Sequence, residues 1–101
     1  MAFKTTRSLM IKALRDGRFQ HEERTQAEGK NLLATGEISV EEVIVLLLRC
    51  RGNQHETRYH HFDKNQLIDI FKPIDEQGVW YIKSYLVDLD DIQAVFISVH
   101  R

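Results

Sequence analysis

The sequence predicts an α+β domain, with N-terminal helices packed on one face of a mainly antiparallel C-terminal sheet of about four strands. Three observations carry that prediction. The apolar residues recur with helical spacing up to Gly52 and alternate from about Thr57 onward. Ser39-Val-Glu-Glu42 has serine at a cap position and glutamate three residues later, the pattern that opens a helix. The links between the alternating segments are short and rich in turn residues, which suits a meander of antiparallel neighbours. Helices first and a meander after is the α+β order.

The first helix is expected over 6–16, with Thr5 or Thr6 as its cap and Gly17 as its stop. Leu9, Met10, Ala13 and Leu14 fall on one face of it, and Lys12 and Arg15 on the other. The segment 19–26 is polar and fits neither period. A short helical stretch is expected over 27–34, ending at Thr35-Gly36. The run 40–51 is apolar on nearly every side, which predicts a central helix covered by the sheet on one side and by helices on the other. Strands are expected over 57–63, 66–72, 79–88 and 92–101, joined by turns at 64–65, 73–78 and 90–91.

A chain of 101 residues leaves room for one domain. With 43% apolar and 29% charged residues it is too apolar to be disordered. Its longest apolar run, 43–48, is far short of a membrane span, and the first residues lack the apolar stretch of a secretion signal. The single cysteine, Cys50, excludes an internal disulfide, so a cytoplasmic setting is expected. Residues 1–35 carry seven Lys/Arg against four Asp/Glu, and residues 36–101 seven against eleven. The basic groups Lys4, Arg7, Lys12, Arg15 and Arg18 gather around the first helix. They either meet a nucleic acid locally or form a solvated helix face.

The strand over 79–88 separates by parity. Trp80, Ile82 and Leu86 form its core side, while Val79, Tyr81, Lys83, Tyr85 and Val87 face the other way. Two tyrosines flanking an amine on an open sheet face suit a base and its phosphate, although tyrosine and lysine are also common on solvated strands. Three of five histidines, His55, His60 and His61, lie within seven residues, and His100 closes the last strand. His60 shares its side with Arg58. Side chains at adjacent strand positions diverge, and no Cys-x-x-Cys pair supports a metal, so acid–base use is favoured over metal binding. A plain surface histidine cluster is the alternative. Cys50 reads as buried packing.

Several segments, taken in order, resemble the MqsR-like toxins of bacterial type II toxin–antitoxin systems, small ribonucleases related in fold to the RelE toxins. They are the first helix ending at Asp16-Gly17, a Leu-Leu-Ala stretch, Asp69-Ile-Phe-Lys-Pro73, Gly78-Val-Trp-Tyr-Ile-Lys83 and Phe96-Ile-Ser-Val-His100. The family's strand tyrosine and lysine match Tyr81 and Lys83. Its closing basic residue is His100 here, and the positions of a further lysine and a glutamine fall near Glu56 and Ile68. The resemblance implies a metal-independent endoribonuclease that cuts mRNA by attack of a ribose 2′-hydroxyl on the adjacent phosphate, without a cofactor. It implies His61 or His60 as base, His100 as acid, Lys83 and Arg101 on the phosphate, and Tyr81 orienting the phosphate or stacking on a base; Tyr85 and Arg58 are the further candidates for substrate binding on the sheet face. It also implies a cognate antitoxin protein as partner. A noncatalytic binding module that offers its acidic half, including Asp88, Asp90 and Asp91, to a basic partner is the competing expectation.

Overall fold

A computed structural model of the chain describes residues 2–22, 31–60, 63–87 and 91–101. The described elements run in the order α1 (Phe3–Arg15), β1 (Phe19–His21), α2 (Leu32–Thr35), α3 (Val40–Arg49), β2 (His55–Tyr59), β3 (Leu67–Phe71), β4 (Ile74–Asp75), β5 (Gly78–Val79), β6 (Tyr81–Val87) and β7 (Gln93–His100). The expected α+β arrangement is present. Five strands form one sheet in the order β1-β7-β6-β3-β2, and β4 and β5 pair as a separate two-stranded ribbon. The pairs β2–β3, β3–β6 and β6–β7 are antiparallel, whereas β1 joins the edge parallel to β7.

α1 begins three residues before the expected start. Its cap is Ala2, which makes no side-chain cap bond, and Thr6 is buried inside the helix. Tertiary packing replaces the cap, because the Phe3 ring lies 5.3 Å from that of His55 and 6.4 Å from that of Phe71. Gly17 follows the helix with a φ of 72°, the left-handed conformation that glycine adopts without a Cβ clash. α2 is capped by Asn31, whose side chain accepts from the Ala34 amide. Residues 27–30 of the stretch expected there lie outside the described residues.

α3 opens with the expected capping box. The Ser39 hydroxyl accepts from the Glu42 amide at 3.1 Å, and the Glu42 carboxylate accepts from the Ser39 amide at 3.3 Å. It is not buried all round. Val43, Ile44, Leu46 and Leu47 are buried, but Val45 and Leu48 are each 53% exposed. The helices and the sheet's near face share one core, with Met10, Leu47, Phe71, Ile82, Phe96 and Val99 at its centre. Cys50 caps the end of α3 within that core, and burial pushes its thiol pKa up, which matches an inert packing role.

β1 was not expected. It is only three residues long, with Phe19 packed against the core, and its pairing is set by β7, with Phe19 opposite Ala94 and His21 opposite Phe96. The His21 Nδ1 accepts from the Asn31 amide group at 3.1 Å, and burial lowers the His21 pKa. In the 73–78 turn, Asp75 accepts from the Gln77 amide, and Gly78 takes a φ of 132°.

The parity expected for β6 holds. Ile82 and Leu86 join the helix-side core, as does Trp80 just before the strand, and Lys83 and Tyr85 turn away. A bulge opposite Lys83/Ser84 inserts Ile97 into β7. Ile97 then packs with Ile68, Ile70 and Tyr85 on the far face, in a cluster that contains no described helix residue.

Candidate functional site

The far face carries most of the residues singled out from the sequence. β2 and β3 pair Arg58 with Ile68 and Glu56 with Ile70, and β3 and β6 pair Ile70 with Lys83, so these side chains share one side. Tyr81 pairs with His100 and Lys83 with Ser98 on the same side. His61 lies outside the described residues.

Toward one end of this face, β6 and β7 set Tyr81 and His100 directly opposite each other. Their rings stack at 5.5 Å with 23° between the planes. The His100 Nδ1 lies 2.9 Å from the Arg101 carbonyl, an acceptor only, so Nδ1 carries a hydrogen. In the neutral ring the lone pair is then on Nε2, where it can take a proton from a substrate. Tyr81 is 38% exposed. Lys83, two residues along the strand, forms no ion pair with any described residue and leaves its ammonium for an anion.

A second group stands farther along. The Tyr85 hydroxyl donates to Glu22 Oε2 at 2.9 Å, and His60 Nε2 sits 2.9 Å from the same oxygen. The His60 and Tyr85 rings meet edge to face at 5.6 Å. With Glu22 ionised, its oxygens only accept, so the His60 Nε2 bears the hydrogen and points inward. His60 is only 9% exposed and Glu22 16% at its side chain. Their positions come from the backbone: the Glu22 amide donates to the Phe96 carbonyl, and the His60 amide to the Gln66 carbonyl. At about 3.4 Å per residue, Tyr81 and Tyr85 are some 14 Å apart along β6. The structure therefore groups His100 with Tyr81 and Lys83, and His60 with Tyr85 and Glu22.

Two further expectations receive specific surroundings. Arg101 does not join the far face. Its guanidinium lies 4.5 Å above the Trp80 ring and binds both oxygens of Asp75, at 2.8 and 2.7 Å. Trp80 Nε1 donates to the same carboxylate at 2.9 Å. These bonds hold the Asp75 carboxyl well below the usual carboxylate range. Arg58 is exposed and donates to Glu56 at 3.1 Å. Of the acidic residues proposed for a basic partner, Asp91 is paired with Arg18, while Asp88 and Asp90 lie outside the described residues. Asp69 binds His55 at 2.9 Å on the helix side, with burial raising its pKa and that hydrogen bond opposing the rise.

Glu22 is the site residue that sequence reasoning missed. Its signal was the alternation Phe19-Gln-His-Glu22, which puts Gln20 and Glu22 on one side of an extended segment. Among the described residues no group of three or more His, Cys, Asp or Glu side chains is placed to hold a metal ion. No helix among them is long and apolar enough to cross a membrane. No family model and no curated protein matches the sequence.

Proposed function

We propose that the protein is a metal-independent endoribonuclease acting on mRNA, the toxin of a toxin–antitoxin pair, with its chemistry at Tyr81, Lys83 and His100. The observation that carries this reading is the stacked Tyr81–His100 pair beside Lys83, which forms no ion pair with any described residue, on a sheet face that no described helix covers. The His100 Nε2 accepts the 2′-hydroxyl proton, and the 2′-oxygen attacks the adjacent phosphorus. The bond to the 5′-oxygen breaks, and that oxygen takes up a proton from the Tyr81 hydroxyl. The products are a 2′,3′-cyclic phosphate and a 5′-hydroxyl end. Lys83 holds the phosphate and the charge that builds on it. His60, held by Glu22 and largely covered, orders the far end of the face rather than exchanging protons with substrate. A cognate antitoxin protein would keep the enzyme silent in the cell.

The test is cleavage of a defined mRNA by purified protein in the presence of a chelator, with growth followed on induction. His100→Ala is expected to lower the rate by about 10²–10⁴-fold, the usual contribution of a proton-transfer group. Tyr81→Phe and Lys83→Ala should each lower it while leaving the fold intact. Cleavage unchanged in all three variants, or intact RNA and normal growth with the wild type, would overturn the assignment.

A further inference from the structure

A second surface lies on the helix layer, on the opposite side of the sheet from Tyr81 and His100. The first turns of α1, the end of α3 and the start of β4 enclose an open cleft of about 660 Å³. Lys4, Arg7, Arg49 and Arg51 line it, and none of its lining residues is acidic. Two aliphatic side chains, Leu48 and Ile74, also line it, and each is 53% exposed. Val45, one turn before Leu48 and Arg49 on α3, is equally exposed but lines a neighbouring cleft with Glu41, Glu42 and Asp75. A ten-residue helix has thus left two of its branched side chains in water beside an uncovered strand residue. Large exposed side chains collected in one place mark an interaction surface.

The charge and the shape together specify the occupant. Arg7 is fixed in advance, since one guanidinium nitrogen donates to the Cys50 carbonyl at 3.0 Å and the group lies 5.1 Å over the Phe3 ring. Arg7 thus lines the cleft with its guanidinium held at one nitrogen, and that planar fork suits carboxylates as well as phosphates. The apolar element decides between those two. It is aliphatic, and the one aromatic ring in the lining, Phe3, is already engaged with Arg7, His55 and Phe71. A nucleobase finds no open ring to stack on, whereas leucine-like side chains fit an aliphatic strip.

We propose that this cleft is a docking site for an acidic amphipathic segment of a partner protein, whose apolar side chains cover Leu48 and Ile74 and whose carboxylates meet Lys4, Arg7, Arg49 and Arg51. The site stands apart from the proposed nuclease face and does not depend on that reading. The probe is a fluorescein-labelled peptide of about 16 residues, some four helical turns, with leucines at i, i+3, i+4 and i+7 and glutamates beside them. A control peptide replaces every leucine with serine at the same charge, and a uridine oligonucleotide of similar length represents a phosphate backbone. Fluorescence anisotropy on the full chain should show saturable binding of the leucine peptide alone. Leu48→Ser with Ile74→Ser, and separately Arg49→Glu with Arg51→Glu, should each weaken it by about tenfold or more. All four positions are exposed, so circular dichroism and melting should match the wild type. No binding of the leucine peptide, equal binding of the serine control, or oligonucleotide binding that the same variants abolish would overturn the proposal.

Discussion

The Tyr85→Phe substitution probes the hydroxyl of the covered group on the far face. Phenylalanine keeps the ring that packs with Ile68, Ile70 and Ile97 and removes only the hydroxyl that donates to Glu22 at 2.9 Å. Hydrogen bonds to charged groups contribute about 1.5–3 kcal/mol to stability. The Glu22 side chain retains 16% of its exposure, so water partly replaces the lost donor and the lower end applies, about 1.5 kcal/mol. For a domain of this size that lowers Tm by roughly 6–12 °C. Thermal melts and urea titrations read the change, with an unchanged m-value showing that only the folded state's energy has moved. Glu22→Gln provides the second arm. If Tyr85 acts through the carboxylate, the double variant costs less than the two singles together, by about 0.5–3 kcal/mol. A Tyr85→Phe protein within about 0.5 kcal/mol of wild type, with additive effects in the double variant, would refute the reasoning.

Other perturbations separate buried from exposed roles. Leu47→Ala, at a fully buried position, should cost about 2–5 kcal/mol in urea unfolding, whereas Leu48→Ala next to it should stay within about 0.5 kcal/mol. Burial holds the folded-state pKa of His21 below its ordinary 6.5, so on acidification the unfolded chain binds that proton first. The stability His21 contributes is complete above about 6.5 and is lost as pH falls through the lower folded value. Urea midpoints between neutral pH and pH 5 should therefore fall more steeply for the wild type than for His21→Phe. Equal slopes would show that His21 does not carry the dependence. Asp75→Ala should release Arg101 and the Trp80 indole together. Because Trp80 is the chain's one tryptophan, a red shift of its emission reads that release, and an unmoved spectrum would show that the indole is held by other contacts.

The fold was largely legible because its main signals are local. The Ser39–Glu42 box, the glycine stop at Gly17 and the alternation through Ile82, Lys83 and Tyr85 each depend on residues a few positions apart. What escaped the sequence depends on distant partners. β1 exists because β7 offers an open edge, and nothing in Phe19-Gln-His announces Ala94 and Phe96. The early start of α1 follows from rings about fifty and seventy residues away, not from a cap. The exposure of Val45 and Leu48 was hidden for a similar reason, since an apolar run does not say how many of its sides find cover. In the candidate site, the antiparallel neighbourhood of the last two strands was legible from their short link, but the register that sets Tyr81 opposite His100 includes the bulge at Ile97 and was not. The clamp on Arg101 and the contact of Glu22 with His60 needed chain segments brought together by the whole sheet.

The position of β7 has a consequence for biosynthesis. It lies inside the sheet, between β1 and β6, and contributes Ala94, Phe96 and Val99 to the core on which the helices rest. Every element that packs against it leaves the ribosome earlier. A nascent chain carrying α1, α3 and even β6 still lacks the surface that would close its core, and the partner of Tyr81 does not yet exist. Chaperones would meet this polypeptide with its helices' apolar stripes uncovered until residues 93–100 emerge. Assembly of the core and completion of the Tyr81–His100 pair therefore occur in the same late step.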